Sequence, residues 1–364
     1  MRSTASVAVR HVAQSFAVIG TTRGRVRAEN QDKAVTANFE ATNPQANFRA
    51  CVVCDGLGGM QDGEQCAAEA VACFLDHLVS TTSVIDREQR LRSAVEFTNK
   101  ELWKVFHERG GTTLAAILFT ESGATAISVG DTRIYRLGEK GELTQLTVDD
   151  TIAGRLAELT DSPAGEHAGG PFGHHLAQII GQSSPVSPQI LDSKLLVNGT
   201  ARPDNNGTRP GLLVTTDGAY HFGKDVFGGL ARSAASAREL VQRLISVSDW
   251  MGGTDNATAI YISLHETPPR PPGNRPGQLG LQIHDAYGEL HVVPLTSEKP
   301  VSSEQVASAP PPIPETETIP EKRRIGSKNK RKGKRAPARK SRAGEKTKNP
   351  SQPELDIKVT QHSE

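Results

Sequence analysis

Apolar, β-branched runs of this chain repeatedly break off at an aspartate that stands beside glycine or asparagine. The acids that share this setting are Asp32, Asp55, Asp131, Asp217 and Asp255. Carboxylates that converge at the ends of buried strands repel one another unless a cation compensates their charge. The pattern therefore favours a fold that brings several strand ends together around a metal ion.

The stretch VVCDGLGGMQDG, residues 52–63, shows this pattern most clearly. An isolated Asp-Gly is most often a turn between two strands. The alternative is a ligand site, in which glycines let bare carbonyl groups approach a cation closely. No histidine or cysteine belongs to the set of five acids, so the expected cation is Mg²⁺ or Mn²⁺, both of which prefer oxygen ligands.

The spacing Cys51-x-x-Cys54 looks like half of a zinc site. Residues three apart on a strand face opposite sides, and no second Cys or His pair is suitably placed. The four cysteines are therefore predicted to be buried, reduced thiols, which is typical of a cytoplasmic protein. No apolar run reaches the roughly 18 to 20 residues of a membrane span, and the N-terminus has no secretory signal pattern.

The composition divides the chain into five parts. They are a loose N-terminus (1–16), a main domain (17–265), a Pro/Gly linker (266–278), a hairpin-like segment (279–296) that is isolated or docked on the main domain, and a disordered tail (297–364). Within the main domain, strand-like runs alternate with helix-like ones, and short turns favour antiparallel pairing. The predicted apolar helix faces are Val71, Phe74, Leu75 and Leu78, and Leu91, Val95, Leu102 and Val105. This mixture predicts sheets covered on the outside by helices.

The tail carries a basic run at residues 322–348, with fourteen Lys and Arg residues and one acid, although the net charge of the whole chain is only +1. Such a run can bind nucleic acid or another acidic surface without a fold. The alternatives are a solubilising or tethering tail, or a segment that folds back onto the acidic main domain and covers the metal cleft. No aromatic residue lies between Glu321 and Lys348, so sequence-specific reading of bases is not expected.

Seven short motifs, in order along about residues 17–265, resemble the metal-dependent PP2C-type Ser/Thr protein phosphatases, particularly their bacterial branch. They are Gly24-Arg-Val-Arg27 with Asn30-Gln-Asp32, Asp55-Gly-x-Gly-Gly59, Gly111-Thr-Thr113, Gly130-Asp-x-Arg133, Leu146-Thr147, Thr216-Asp-Gly218 and Asp255-Asn-x-Thr258. The resemblance implies an α+β fold, the αββα sandwich of two antiparallel sheets flanked by helices. It also implies a dinuclear metal centre at one end of the sandwich.

The resemblance assigns metal-binding roles to individual residues. Asp55 would bridge two Mn²⁺ or Mg²⁺ ions, and the Gly56 carbonyl would bind one of them. Asp217 and Asp255 would complete the protein ligands of the other ion. Asp131, together with Asp217, would hold a third and weaker metal.

Two further residues take roles in the reaction by the same resemblance. Asp32 would hold a metal-bound water, and Arg27 would grip the substrate phosphate. The implied activity is hydrolysis of phosphoserine and phosphothreonine on proteins by water activated between two divalent ions, which lie roughly 3.5–4 Å apart in such sites. The implied partners are phosphoproteins, a Ser/Thr kinase or its targets, and the protein is expected to be a monomer.

Some positions depart from the family pattern. Gln31 stands where some relatives carry Glu, Met60 falls where bacterial relatives often have His, and Leu57 replaces the His of the eukaryotic Asp-Gly-His pattern. The resemblance therefore identifies no general acid. The pair His174 and His175, at the end of a predicted flap (151–175), is the nearest candidate, although a capping or surface role fits it better. The departures motivate a second hypothesis, in which the protein is a pseudophosphatase, a binding or regulatory module. Its basic tail would then tether it to nucleic acid or another acidic surface.

Overall fold

The structure, a computed structural model, describes residues 7–12, 17–41, 43–57, 60, 62–81, 86–160, 175–197, 210–264, 280–294 and 355–358. By internal contacts the chain divides into two units, Met1–Val293 with Asp356–Glu364, and Pro294–Leu355. Of the second unit only its two terminal residues are described. The predicted linker (266–278) and the basic run (322–348) lie outside the described residues.

The first sheet has six strands, and every neighbouring pair is antiparallel. In spatial order its strands are β1 (Val7–Val12), β2 (Ala17–Thr22), β11 (Ala257–Ser263), β10 (Gly211–Thr215), β7 (Arg133–Leu137) and β8 (Leu143–Gln145).

The second sheet has eight strands. In spatial order they are β14 (Leu355–Lys358), β13 (Glu289–Pro294), β12 (Gly280–His284), β3 (Asp32–Glu40), β4 (Phe48–Asp55), β5 (Leu114–Thr120), β6 (Gly123–Val129) and β9 (Gln189–Leu191). The pairs from β13 to β9 are antiparallel.

The described helices are α1 (Gly63–Ser80), α2 (Arg87–Phe106), α3 (Ile152–Thr160), α4 (Ser193–Val197), α5 (Lys224–Ser233) and α6 (Ala237–Trp250). Single 3₁₀ turns lie at Pro44–Ala46, His107–Arg109 and Asp217–Ala219. Within the described part of the chain, none of the helices combines the length and the apolar character that crossing a bilayer requires.

Three apolar cores hold the layers together. One lies between the two sheets, one between the second sheet and α1 and α2, and one between the first sheet and α5 and α6. This is the αββα sandwich that the sequence analysis predicts. Alternation along β4 places Cys51 in the inter-sheet core and Cys54 in the core beneath the helices, as expected for a period of two. The two thiols therefore face opposite sides and are free.

Two expectations about the helices and the N-terminus need correction. Val105 is 56% exposed, and Phe106 continues the buried face of α2 instead, because four residues separate it from Leu102 on the same side of the helix. The N-terminal 16 residues are not loose throughout, since β1 extends the first sheet by pairing along the whole length of β2. A short edge strand of this kind is stabilised by main-chain bonds to its neighbour rather than by a long apolar pattern.

The C-terminal hairpin of β12 and β13 is docked rather than isolated. β12 pairs with β3 from Gly280↔Glu40 to His284↔Thr36, so it continues the second sheet. Beyond it, β14 adds a further strand inside the region that the sequence analysis treats as a disordered tail.

We expect Phe74→Ala, on α1, to lower the free energy of unfolding by about 3–5 kcal/mol, because it removes a fully buried aromatic ring and leaves a cavity. Urea denaturation followed by circular dichroism measures the change. Val105→Ala on α2 is the matched control and should stay within about 0.5 kcal/mol of the wild type. Equal effects of the two changes would contradict the packing described.

His284 on β12 makes the stability of the docked hairpin depend on pH. Its side chain is 1% exposed, and the charged groups that face it are Glu289, Arg10, His291 and Asp285. Burial lowers the pKa of His284 below its ordinary value of 6.5, and the charge of Glu289 opposes this shift. As the pH falls, this histidine binds a proton in the unfolded chain before it does so in the folded protein. The free energy of unfolding therefore decreases as the pH drops below about 6.5 toward the lower pKa of the folded state.

We therefore expect His284→Leu to lose less stability than the wild type between about pH 7.5 and about pH 5. Urea titrations at several pH values give the free energy of unfolding of each protein, and its slope against pH is then compared between the variant and the wild type. His11→Gln, an exposed change on β1, should keep the wild-type slope. Parallel curves for His284→Leu and wild type would show that His284 is not titrating differently in the folded state.

Candidate metal centre

Asp32 and Asp55 lie opposite each other at one end of the second sheet. Asp32 is the first residue of β3, Asp55 is the last residue of β4, and the antiparallel register pairs them directly. A tertiary pairing therefore joins two acids that are 23 positions apart in the sequence.

The first sheet brings three more acids to the same place. Asp217 begins the 3₁₀ turn directly after β10, and Asp255 lies just before β11, the neighbour of β10. Asp131 lies just before β7, the neighbour of β10 on its other side. The charge of Asp217 acts on both Asp32 and Asp55, so the acids of the two sheets share one site.

The environment of these carboxylates disfavours their charged forms. Burial raises the pKa of Asp32 to about 7; hydrogen bonds from Thr258 and Thr216 oppose the shift, and the charges of Asp217 and Asp255 reinforce it. Burial also raises the pKa of Asp55 well above its usual range, with the neighbouring carboxylates, Asp32 first, adding to the effect. A positive charge placed among these groups would relieve both penalties.

The remaining acids follow the same rule. Burial raises the pKa of Asp217, and the charge of Asp255 adds to it. Burial raises the pKa of Asp131 to about 7, with the charge of Asp217 as the next cause. Asp131 therefore belongs electrostatically to the same group of acids as Asp217.

One carboxylate oxygen at the floor of the site has no partner. Asp32 is buried, and its Oδ2 accepts a hydrogen bond of 2.9 Å from the hydroxyl of Thr216. Among the described residues, its Oδ1, which is also buried, has no hydrogen-bond partner. A buried acceptor that is left unsatisfied costs free energy, so this oxygen is suited to bind a water or a cation.

The glycines that follow two of the aspartates allow close backbone approach. A Cβ atom on Gly56 would lie 2.3 Å from the carbonyl oxygen of Gly63, the first residue of α1. A Cβ on Gly218 would lie 2.0 Å from the carbonyl oxygen of Asn256. Only glycine fits either position. Gly58 and Gly59, the other glycines of the motif, lie outside the described residues.

Arg27 reaches the site through an ion pair. Its guanidinium donates to Asp255 at 2.7 Å, and the two side chains are 34% and 36% exposed. Asn256 holds the loop that carries Arg27, since its amide nitrogen donates to the carbonyl groups of Arg23 and Glu29 and its Oδ1 accepts from the backbone of Gln31. The sequence analysis places Asn256 in a motif but assigns it no role.

Several other residues of the site were missed by the sequence analysis. The hydroxyl of Tyr220 donates to the carbonyl of Asp131, and Arg133 lies 3.7 Å over the Tyr220 ring while pairing with Asp149 at 2.6 Å. His221 lowers the pKa of Asp217, after the larger opposing effects of burial and of Asp255. His221 also lines a cavity of about 180 Å³, together with Asp217, Gly218, Phe222, Ser248, Met251, Thr254 and Asp255.

Neither proposed histidine of the flap gains a role here. His174 lies outside the described residues, and His175 is at an exposed position where its carbonyl accepts from the backbone of Ile152. His221 follows Asp217 by four positions, and its backbone donates to the Asp217 carbonyl at 2.9 Å.

The chemistry of the donors fits Mg²⁺ or Mn²⁺, because every side-chain donor of the set is a carboxylate oxygen and one of them is unsatisfied. In the described part of the chain, no three His, Cys, Asp or Glu side chains are gathered tightly enough to hold a metal ion as they stand. Closing the carboxylates around a cation therefore requires side-chain rotation within the site.

We expect Mn²⁺ to raise the midpoint of thermal unfolding in a concentration-dependent way, since a ligand at about 100 times its Kd stabilises by about 2.7 kcal/mol. Asp55→Asn should lose most of this shift. Asp76→Asn, an exposed acid on α1, is the matched control and should keep it. Differential scanning fluorimetry with and without Mn²⁺ makes the measurement; a full shift in Asp55→Asn would place the metal elsewhere.

Residues 19–253 match the sequence profile of the family described as protein phosphatase 2C. The serine/threonine protein phosphatase PstP of Mycobacterium tuberculosis is 29% identical over 250 residues, which cover 66% of this chain and 43% of that protein. The serine/threonine phosphatase stp of Listeria welshimeri is 26% identical over 256 residues, which cover 66% of this chain and 93% of that protein. This chain therefore spans less than half the length of its mycobacterial relative.

Solved structures show the same fold. That of Mycobacterium tuberculosis PstP/Ppp has a TM-score of 0.53 at 25% identity and covers 71% of this chain and 100% of its own. The catalytic domain of PstP in complex with 2 manganese ions has a TM-score of 0.50 at 25% identity, with 71% and 98% coverage. Because the profile match takes in well over half of its residues, the chain belongs to the protein phosphatase 2C family.

Proposed function

We propose that this protein removes phosphate from phosphoserine and phosphothreonine residues of other proteins, with two Mn²⁺ or Mg²⁺ ions held by its clustered carboxylates. The observation that carries the proposal is the convergence of acids from both sheets around the unpartnered Oδ1 of Asp32. The family relationship and the two manganese ions in the PstP complex support it.

The residues that would hold the ions are Asp55, the carbonyl of Gly56, Asp217 and Asp255. Asp131, with Asp217, would hold a third. When bound, a pair of divalent ions lowers the pKa of a coordinated water to near neutrality. It also stabilises the negative charge that develops on the phosphoryl oxygens. Direct attack by water is consistent with this donor set, which contains no Cys or Ser nucleophile.

Asp32 orients the attacking water. Its Oδ2 is occupied by Thr216, so Oδ1 is the oxygen that accepts a hydrogen bond from water. A carboxylate held in one rotamer by a hydroxyl keeps that water aligned with the phosphorus, and this alignment is a large part of what such a site contributes to rate.

Arg27 binds the phosphate. In the structure its guanidinium is paired with Asp255, which is also one of the proposed metal ligands. If Asp255 held a cation, this pair would be weakened and the planar guanidinium would be free to bind two phosphoryl oxygens at once. In the structure, the ion pair holds Arg27 beside Asp255.

Two of the three departures from the family pattern lie close to glycines. The amide nitrogen of Gln31 lies 2.9 Å from the position of a Cβ on Gly63, and the sulfur of Met60 lies 3.3 Å from that of a Cβ on Gly111. A pseudophosphatase stays the second candidate because no three ligands are gathered in advance among the described residues. Turnover distinguishes the two.

We propose a cytoplasmic phosphoprotein substrate, a Ser/Thr kinase or one of its targets, acted on by a monomer. The basic run 322–348 is proposed to contact nucleic acid or another acidic surface through charge alone. A salt titration of binding, with and without residues 320–364, tests that part independently of catalysis.

We expect hydrolysis of an aryl phosphate and of a phosphothreonine peptide with Mn²⁺ and none with EDTA. Loss of a group that hydrogen-bonds a metal ligand lowers activity by roughly 10- to 100-fold. Asp217→Asn removes a proposed ligand itself, so it should lower kcat/KM by more than that. Arg27→Lys should lower kcat/KM by roughly 10- to 100-fold, because a charge-assisted bidentate contact is lost.

Asp76→Asn and Arg92→Ala, which alter exposed charges on α1 and α2, are the matched controls and should keep full activity. A folded wild-type protein that turns over neither substrate with any divalent metal would favour the pseudophosphatase. Unchanged kcat/KM in Asp217→Asn would refute the assignment of this site.

A further inference from the structure

The cavity of about 180 Å³ opens directly beside two of the proposed metal ligands. Asp217 and Asp255 form part of its wall, and the other lining residues are Gly218, His221, Phe222, Ser248, Met251 and Thr254. Because several of these are exposed, the cavity is open to solvent. The proposed reaction uses only the two acids, so the rest of the lining is available for another role.

The segment that follows β10 forms one side of the cavity. Its 3₁₀ turn, Asp217–Ala219, is closed by hydrogen bonds from the backbone of Tyr220 and of His221 to the Asp217 carbonyl, at 3.0 and 2.9 Å. The ring of Phe222 lies next, with its centroid 6.1 Å from that of the buried Phe227, and it packs against the core between the first sheet and α5 and α6. The position of the Phe222 ring is therefore fixed by the core.

The end of α6 forms the other side of the cavity. Met251 is the residue at which this helix ends. Two positions on, the backbone of Gly253 donates to the carbonyl of Ser248 at 3.1 Å, and its own carbonyl accepts from the backbone of Arg25 at 2.7 Å. The loop after α6 is therefore fixed between the helix and the segment that carries Arg27.

The lining away from the acids suits an apolar ligand. The hydroxyl of Ser248 donates to the carbonyl of Gly218 at 2.8 Å, so this donor is already used. The large side chains that remain are the ring of Phe222 and the thioether of Met251, and a methionine adapts its shape to different ligands. An apolar cavity of about 150 Å³ is large enough to bind benzene, so the volume here admits an aromatic or long aliphatic side chain.

The cavity shares its wall with the groups proposed to bind phosphate. Asp255 lines the cavity and accepts a hydrogen bond of 2.7 Å from Arg27. A phosphorylated residue held at this point places its neighbours only a few ångströms away, since an extended chain advances roughly 3.3–3.6 Å per residue. The side chains within two positions of the phosphorylated residue are therefore the ones that reach the cavity.

We propose that this cavity is a subsite that selects the substrate: it takes a large apolar side chain, such as that of Phe, Leu or Met, from a residue within two positions of the phosphoserine or phosphothreonine. Phe222 and Met251 are its specificity-determining residues. The inference rests on the proposed phosphatase function, because it assigns a sequence preference to that activity. It narrows the substrates to phosphoproteins with an apolar residue close to the phosphorylated one.

Matched phosphothreonine peptides test the preference. Each peptide of the series carries one Phe, at one of the four positions within two residues of the phosphothreonine, and the reference peptide carries Ala at all of them. With the Mn²⁺-loaded full-length protein, Phe at one position should raise kcat/KM roughly tenfold over the reference, the size expected when an apolar side chain is buried. A ratio measured on one protein cancels changes in turnover that both peptides share.

Two variants that add the same charge at neighbouring residues locate the preference. Met251→Glu places a carboxylate in the cavity wall, so the ratio should fall close to one, because an apolar side chain would have to be buried against a charge. Met251→Leu, which keeps the wall apolar, should retain the ratio. Trp250→Glu is the matched control: Trp250 is 79% exposed and is not among the described residues that line the cavity, so the wild-type ratio should remain.

A binding measurement tests the subsite without turnover. The probe is a peptide with a non-hydrolysable phosphonate in place of the phosphothreonine, added to the Mg²⁺-loaded full-length protein with labelled methionine methyl groups. The chain has three methionines, Met1, Met60 and Met251. The peptide with Phe at the preferred position should shift the Met251 methyl signal and leave that of Met1 in place, because only Met251 would lie against the ring. The peptide with Ala should shift Met251 much less.

Equal kcat/KM for the Phe and Ala peptides at all four positions, in an active wild type, would overturn the proposal. A preference for Lys over Phe would overturn it too, since the acids would then select the ligand by charge. Loss of the preference in Trp250→Glu as complete as in Met251→Glu would place the subsite elsewhere. If the wild type hydrolyses neither peptides nor an aryl phosphate, the proposed phosphatase function fails. The methyl signal of Met251, tested with the phosphonate form of every peptide in the series, then decides the subsite: a shift supports it, and no shift overturns it.

Discussion

Mutual repulsion among half-buried and buried carboxylates governs the whole end of the sandwich where β3, β4, β10 and β11 meet. Burial raises the pKa values of Asp32, Asp55 and Asp217, and the neighbouring negative charges raise them further. The packing of the two sheets holds these carboxylates close together, which lowers the stability of their charged forms. A divalent cation bound among these acids, as proposed above, would relieve this cost and gain binding free energy from it.

The rest of the site limits how far the carboxylates can relax. The hydroxyl group of Thr216 donates a hydrogen bond to Asp32, and the hydroxyl group of Tyr220 donates to the backbone carbonyl of Asp131. Gly56 lies so close to the first residue of α1 that no side chain would fit at this position. Such preorganisation is what a site needs when catalysis consists of positioning and charge stabilisation.

The additions outside the family match are part of the same architecture. β1 extends one sheet and the hairpin extends the other, and Arg10 and Glu289 join them.

The sequence by itself determined the features that depend on local periodicity: the alternating faces of Cys51 and Cys54, the buried face of α1, and the aspartates at the ends of several strands. The order of the motifs also predicted the αββα sandwich. Only the tertiary structure decided that β1 and the hairpin are docked and that Arg27 pairs with Asp255. Arg27 and Asp255 are 228 positions apart, and no local pattern encodes contacts made between residues so distant along the chain. Such contacts follow from strand register and main-chain pairing, which are set by the packing of the whole domain.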